Sequence, residues 1–151
     1  MALPAIMRGS YINIMIGDGA STEVFSIVCG LTTRTFTEQI NTSDSFIADC
    51  ADPEDVPIRR LIPTGRQWSL SGEGRYNRAQ AALLRGAMGV TRNYRFDVAE
   101  PADDEVDAGY YAGPFILVNR QIGGTAGESG EFSSSSLQFE SDGEVVWVPA
   151  A

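Results

Sequence analysis

The chain has 151 residues, 43% of them hydrophobic, and carries a net charge of −9. That length suits one domain with a real core, residues 1–151, and is short for two. The acidic balance argues against tight nucleic-acid binding, which rests on phosphate neutralisation, and the absence of histidine removes the usual general base and the commonest metal ligand.

The N-terminus MALPAIMRGS lacks a basic segment followed by a long apolar run. No stretch approaches the roughly 18 apolar residues of a membrane span. Cytoplasmic synthesis without export or membrane insertion is the expectation. Two β-rich runs follow, Tyr11 to Ile16 and Val24 to Val28, separated by the turn-forming GDGAST, which predicts a hairpin. The next strand, Thr35 to Asn41, sets Phe36, Glu38 and Ile40 on one face and Thr35, Thr37, Gln39 and Asn41 on the other. That period of two suits a half-buried strand.

A long loop is expected from about Thr42 to Thr64, acidic first and ending on the pair Arg59 and Arg60. Loops of this length are functional or disordered. The strand near 66–71 alternates Trp68 and Leu70 with Gln67, Ser69 and Ser71, so that one face packs and the other meets water. After the turn SGEG, residues Asn77 to Met88 read as a short helix with Asn77 as N-cap, Gly89 as its stop, and Ala79, Ala82, Leu83 and Leu84 on the buried side.

Alternation returns from Arg92 to Val98, with Tyr94, Phe96 and Val98 on one side. An acidic, turn-rich loop is predicted at about 99–113, before an apolar strand from Phe115 to Val118. Its five acids between Glu100 and Asp107 lack the ordered spacing and glycine of a calcium loop. The closing run GEFSSSSLQFESDGEVVWV predicts two strands joined by SDGE, with Leu137 and Phe139 opposing a polar face of Ser134, Ser136, Gln138 and Glu140. Short strands with glycine turns and one helix predict a mainly β fold: an antiparallel sandwich or open barrel flanked by a short α-helix. Its sheet edges must be blunted or paired with a neighbour.

Charge falls into blocks. Residues 1–58 carry two arginines against eight acids, residues 59–95 eight arginines against Glu73, and residues 96–151 Arg120 against eleven acids, giving −6, +7 and −10. Such blocks either meet complementary surfaces of other copies or are solvated and paired within the fold. Every basic residue is arginine, which suits interfaces but also follows from GC-rich coding. Cys29 and Cys50 show no CxxC spacing, so no metal site is expected and buried free thiols are the default. No nucleophile elbow, phosphate loop or dinucleotide fingerprint is present. Glu38 and Glu73 are the one carboxylate pair on neighbouring strands that a glycosidase would need. Neither an enzyme activity nor a cofactor is expected.

The order of these features resembles the major tail tube proteins of long-tailed bacteriophages and phage-like gene transfer agents. The resemblance spans nearly the whole chain: the early hairpin, the passage INTSDSFIADCADPEDVPIRRLIPTGRQWSLSGEG, the helix from about Asn77, and the closing strands. Many members carry a lysine and a tryptophan soon after the threonine-serine motif, whereas this chain has Phe46 and no lysine. The resemblance implies a structural virion protein: six copies in a ring with a continuous inner β-barrel, and rings stacked into a hollow tube for DNA. Tape-measure, terminator and tip proteins would be its partners. The loop at about 42–64 would reach the next ring, with Asp49, Asp52, Glu54, Asp55, Arg59 and Arg60 as contacts. Gln67, Ser69, Ser71 and Glu73, or Ser134, Ser136, Gln138 and Glu140, would line the lumen, where DNA slides without binding tightly. A tube protein of a phage-related secretion system, or a carbohydrate-binding or capsid-decorating β-sandwich, are the alternative readings.

Overall fold

The structure, a computed structural model, describes residue 6 and residues 9–98, 108–124, 126 and 133–149. Its elements in chain order are β1 (Ile12–Gly17), β2 (Phe25–Ile27), β3 (Leu31–Ile47), β4 (Ile58–Gly74), a 3-10 turn (Arg78–Gln80) leading into α1 (Ala81–Ala87), β5 (Thr91–Val98), β6 (Gly109–Gly123), β7 (Ser134–Ser141) and β8 (Val146–Pro149). The strands form one antiparallel sheet in the order β2-β1-β5-β6-β7-β4-β3, with β8 also on β6. The expected hairpin is there. In its turn, Asp18 Oδ1 accepts from the backbone N–H groups of Ala20 at 3.0 Å and Val24 at 3.3 Å, and Gly19 adopts φ 78°, which glycine tolerates best.

The sheet curls until its two halves face each other. Phe36 on the edge strand β3 stacks on Phe96 of β5 and Tyr111 of β6, with centroids 5.3 and 4.4 Å apart, and Arg34 Nη1 donates to Asn13 Oδ1 of β1 at 3.0 Å. Enclosed between the halves are Ile14, Ile16, Leu70, Tyr94, Phe115, Leu117 and Phe139, all fully buried. Each contributes about 1.5–3 kcal/mol of burial free energy. The alternation of Trp68 with Leu70, of Tyr94 with Phe96 and of Leu137 with Phe139 produces this core, since every second residue of a strand shares a face.

The helix closes one end. Asn77 caps the turn before it by accepting from the Ala79 N–H at 3.1 Å, and Gly89 ends it at φ 73° while donating its N–H to Leu117 O. Its buried stripe is Ala81, Leu84 and Ala87, with Leu83 half-buried, whereas Ala79 and Ala82 are exposed. Leu84 and, in part, Leu83 are therefore buried as expected, whereas Ala79 falls in the 3-10 turn before the helix and Ala82 on its outer side.

Three further expectations are corrected, and one gains a placement. The region expected to be a loop at about 42–64 is mostly strand: β3 and β4 pair continuously out to Ile47 and Ile58, and only residues 48–57 remain as connection. The acidic loop expected at about 99–113 ends earlier, because β6 begins at Gly109; residues 99–107 lie outside the described residues. The two strands expected on either side of SDGE are present as β7 and β8. Both pair with β6, β7 along residues 115–123 and β8 along 109–112, so SDGE is a bulge between two pieces laid along one edge. Cys29 and Cys50 are free but exposed.

Candidate assembly surfaces

Two surfaces are built by these strands. On the first, the register brings together both polar rows that the sequence offered as alternatives. Ser69 pairs with Glu140, Ser71 with Gln138 and Glu73 with Ser136 across β4 and β7. On one flank, β3 adds Thr33, Thr35, Thr37 and Gln39 opposite Glu73, Ser71, Ser69 and Gln67. On the other, Asn119 and Gln121 of β6 lie beside Gln138 and Ser136, and Ser134 beside Gly123. The rows are therefore one wall, the outer side of the strands whose inner side is Trp68, Leu70, Leu137 and Phe139.

The wall is small, polar and weakly acidic. Its amides satisfy one another: Gln67 Nε2 donates to Gln39 Oε1 at 3.0 Å, Gln138 Nε2 to Glu140 Oε1 at 2.9 Å, and Ser136 Oγ to Gln121 Oε1 at 3.4 Å. Glu73 and Glu140 are the charges of the paired rows, and neither meets a cation among the described residues. A surface of this kind offers a polyanion hydrogen bonds to water and mild repulsion. Its two long borders are open. Among the described residues β3 pairs only with β4, and β6 beyond Leu117 pairs within the sheet only with β7, so each presents unpaired backbone groups.

The second surface is an arm. Beyond Trp68, the last buried residue at its root, the β3–β4 ribbon leaves the core and both of its faces are exposed. At Thr64 a bulge interrupts the ladder, and the Thr64 hydroxyl donates to Asn41 O at 3.1 Å. The extra residue shifts β4's alternation by one. One face of the distal arm thus carries Asp44, Phe46, Arg59 and Leu61, and the other Ile47, Ile58, Arg60 and Ile62. Phe46 is 67% exposed, Ile58 69% and Ile62 61%. Such an apolar area on a projecting ribbon marks an interaction site.

The candidates expected on this arm separate accordingly. Arg59 Nε meets Asp44 Oδ2 at 3.2 Å on the exposed surface, whereas Arg60 lies on the opposite face beside a shallow cleft lined by Ile47, Asp49, Cys50 and Ile58. The two arginines do not act as a pair. Asp49, Asp52, Glu54 and Asp55 all sit in the exposed tip, residues 48–57. The tip is internally ordered: Asp49 Oδ1 accepts from Ala51 N–H at 2.9 Å, Asp55 N–H donates to Asp52 O at 3.1 Å, and Asp55 Oδ1 accepts from Val56 N–H at 3.0 Å.

The proposed carboxylate pair is broken by the same register. Glu38 lies opposite Trp68 and Glu73 opposite Thr33, so the two point to opposite faces of the ribbon. No group of residues that could hold a metal ion is found among the described residues, and no helix among them is long and apolar enough to cross a membrane. Not offered as wall or contact residues by the sequence were the threonines of β3, read only as the strand's polar face, Asn119 and Gln121 of β6, and the apolar residues of the arm. Their signal was present in the alternation of Thr33, Thr35 and Thr37 and in the pairs Phe46-Ile47 and Leu61-Ile62.

A curled sheet with a polar wall, open edges and a projecting apolar arm leaves exposed surfaces of the kind that mark interaction sites. The chain belongs to the phage tail tube protein family, whose profile matches residues 6–147. Its fold is similar to that of chains in the virion of a native gene transfer agent particle (TM-score 0.66, 17% identity, 95% of this chain and 99% of that one). It is also similar to that of a chain from the tail of an empty gene transfer agent particle with C6 symmetry (0.68, 18%, 95% and 99%). A third likeness is to a chain of the sheath/tube terminator of an extracellular contractile injection system in the extended state (0.62, 7%, 97% and 99%). No curated protein matches the sequence significantly.

Proposed function

We propose that six copies of this chain close into a ring, that rings stack through the β3–β4 arm, and that the stack is the hollow tail tube of a phage or phage-like particle. The observation that carries this reading is the arm: apolar on both faces, exposed on both, and without a partner surface among the described residues. Within a ring, the open edge of β3 on one copy pairs with the open edge of β6 near Asn119 and Gln121 on the next. Four wall strands from each of six copies, about 4.8 Å apart and tilted about 40°, give a barrel about 48 Å across between backbones. That is wider than a DNA duplex. Gln67, Ser69, Ser71, Glu73, Ser134, Ser136, Gln138 and Glu140 line the passage, and their weak acidity lets DNA slide without adhering.

The role is structural and calls for no catalysis or cofactor. The chain is synthesised in the bacterial cytoplasm and functions in the particle's tail. A tape-measure protein occupies the tube during assembly, and terminator and tip proteins close its ends. A decorating or sugar-binding sandwich is less well supported, because Trp68 is buried and Trp147 packs on Tyr111 at 4.8 Å instead of forming an exposed platform. The test replaces residues 48–57 by an Asn-Gly turn joining Ile47 to Ile58, which are already directly paired. Electron microscopy is expected to show rings that do not elongate; tubes of normal length would refute stacking through the tip.

A further inference from the structure

The two ends of the subunit differ in charge, and the difference says where the arm's tip goes. At one end the ribbon closes at Ile47 and Ile58, followed by the tip; at the other it begins at the pair Leu31 and Gly74. The turn and helix follow Gly74 directly and are held there by Gln80, which accepts from Cys29 N–H at 2.9 Å and donates to Ile27 O at 2.7 Å. The helix and the tip therefore occupy opposite ends of one ribbon.

The exposed residues at this end are Arg78 in the 3-10 turn and Ala82 and Arg85 in α1, the latter two three residues apart on one side of the helix. Among the described residues neither arginine is in an ion pair. Directly after the helix, Met88 is 43% and Val90 49% exposed. The nearby acids are engaged locally: Asp142 accepts from the Thr91 hydroxyl, next to Val90, at 2.7 Å, Asp18 closes its own turn, and Glu23 accepts from Asn93 Nδ2 at 3.1 Å. The tip presents the complement. It has four exposed carboxylates, Asp49, Asp52, Glu54 and Asp55, around Val56, which is 83% exposed.

We propose that the acidic tip of one copy docks on the Arg78–Ala82–Arg85 face of a copy in the neighbouring ring, with Val56 against Met88 and Val90. This rests on the reading that the arm stacks rings, and it adds the surface that receives the arm. Copies stacked in one orientation must meet head to tail, so the tip end of each ring faces the helix end of the next. From Trp68 to Ile58 the arm reaches about 33 Å, at about 3.3 Å per residue, enough to cross between rings. The contact joins opposite charges around an apolar centre, the arrangement that fixes register and rejects like-charged surfaces.

A charge-reversal cycle tests it. Asp52→Arg with Glu54→Arg, and separately Arg78→Glu with Arg85→Glu, each lower the yield of sedimentable tubes about tenfold, and combining all four restores it to within about twofold. In a Cys29→Ser background, Ala82→Cys is also crosslinked to the native Cys50 by a short bis-maleimide, giving a ladder of covalent chains. If tip reversal leaves tube yield unchanged, both this proposal and stacking through the tip are overturned. If tip reversal abolishes tubes, the combination does not restore them and no ladder forms, the helix is not the acceptor while stacking through the tip stands. Circular dichroism of each variant separates loss of assembly from loss of folding, and the crosslink decides the matter should the fourfold variant fail to fold.

Discussion

Replacing Phe36 by alanine probes how the arm is tied to the body. Phe36 is half-buried, and its ring stacks on Phe96 and Tyr111, joining the edge strand that becomes the arm to the opposite half of the sheet. A fully buried Phe→Ala change costs about 3–5 kcal/mol; half that burial gives about 2, and losing two stacked contacts adds about 1. The expected loss is about 3 kcal/mol, which for a domain of this size lowers the midpoint of thermal unfolding by about 6–12 °C. Thermal unfolding of the unassembled protein, followed by circular dichroism, measures it. The same variant should form tubes less readily, since the arm's root is no longer fixed. A loss below about 1 kcal/mol, with normal tubes, would refute the idea that this aromatic stack sets the arm.

Three further outcomes follow from individual sites. Gly74→Ala should prevent the ribbon from closing at its base, because a Cβ there would meet Leu31 Cα and Thr32 N at 2.7 Å each and lie closer still to Gly30 O; unfolding at a denaturant concentration equal to wild type would contradict this. Tyr94→Phe should be neutral or stabilising near neutral pH, because the buried Tyr94 hydroxyl has no hydrogen-bond partner. Burial pushes the Tyr94 pKa up to about 12 from 10.0, against a smaller opposing effect of Arg92. The folded state therefore holds its proton where the unfolded state releases it, and stability falls as pH rises from about 10 to about 12. That fall should be smaller in Tyr94→Phe, as denaturant titrations across the range would show. Asp44→Ala should change the unfolding midpoint by no more than the small amount typical of exposed ion pairs, under about 1 kcal/mol, because the Asp44 and Arg59 side chains are 51% and 58% exposed.

The alternation of Trp68 with Leu70, or of Tyr94 with Phe96, was legible because period-two burial leaves a direct mark on a sequence. The polar rows of β4 and β7 were legible one at a time. That they form one wall depends on the pairing of Ser71 with Gln138, a contact between distant segments that periodicity cannot supply. The arm was hidden for a different reason. Apolar residues on both faces, with prolines at 53, 57 and 63, blur alternation into the appearance of a loop, and the bulge at Thr64 reverses which β4 residues share a face. Arg59 and Arg60 lie on opposite faces for a simpler reason, that consecutive residues of a strand alternate. The break between β7 and β8 was legible from the turn chemistry of SDGE, but that β6 is long enough to pair with both pieces was not.

Cryo-electron microscopy of the purified, assembled protein tests the central claim most directly. The account predicts six-fold tubes whose lumen is lined by Ser69, Ser71, Gln138 and Glu140, with β3 of each copy paired to β6 of the next and each tip seated in the adjacent ring. A protein that stays monomeric or trimeric with tail-tip components present, or a tube that turns this wall outward, would contradict it.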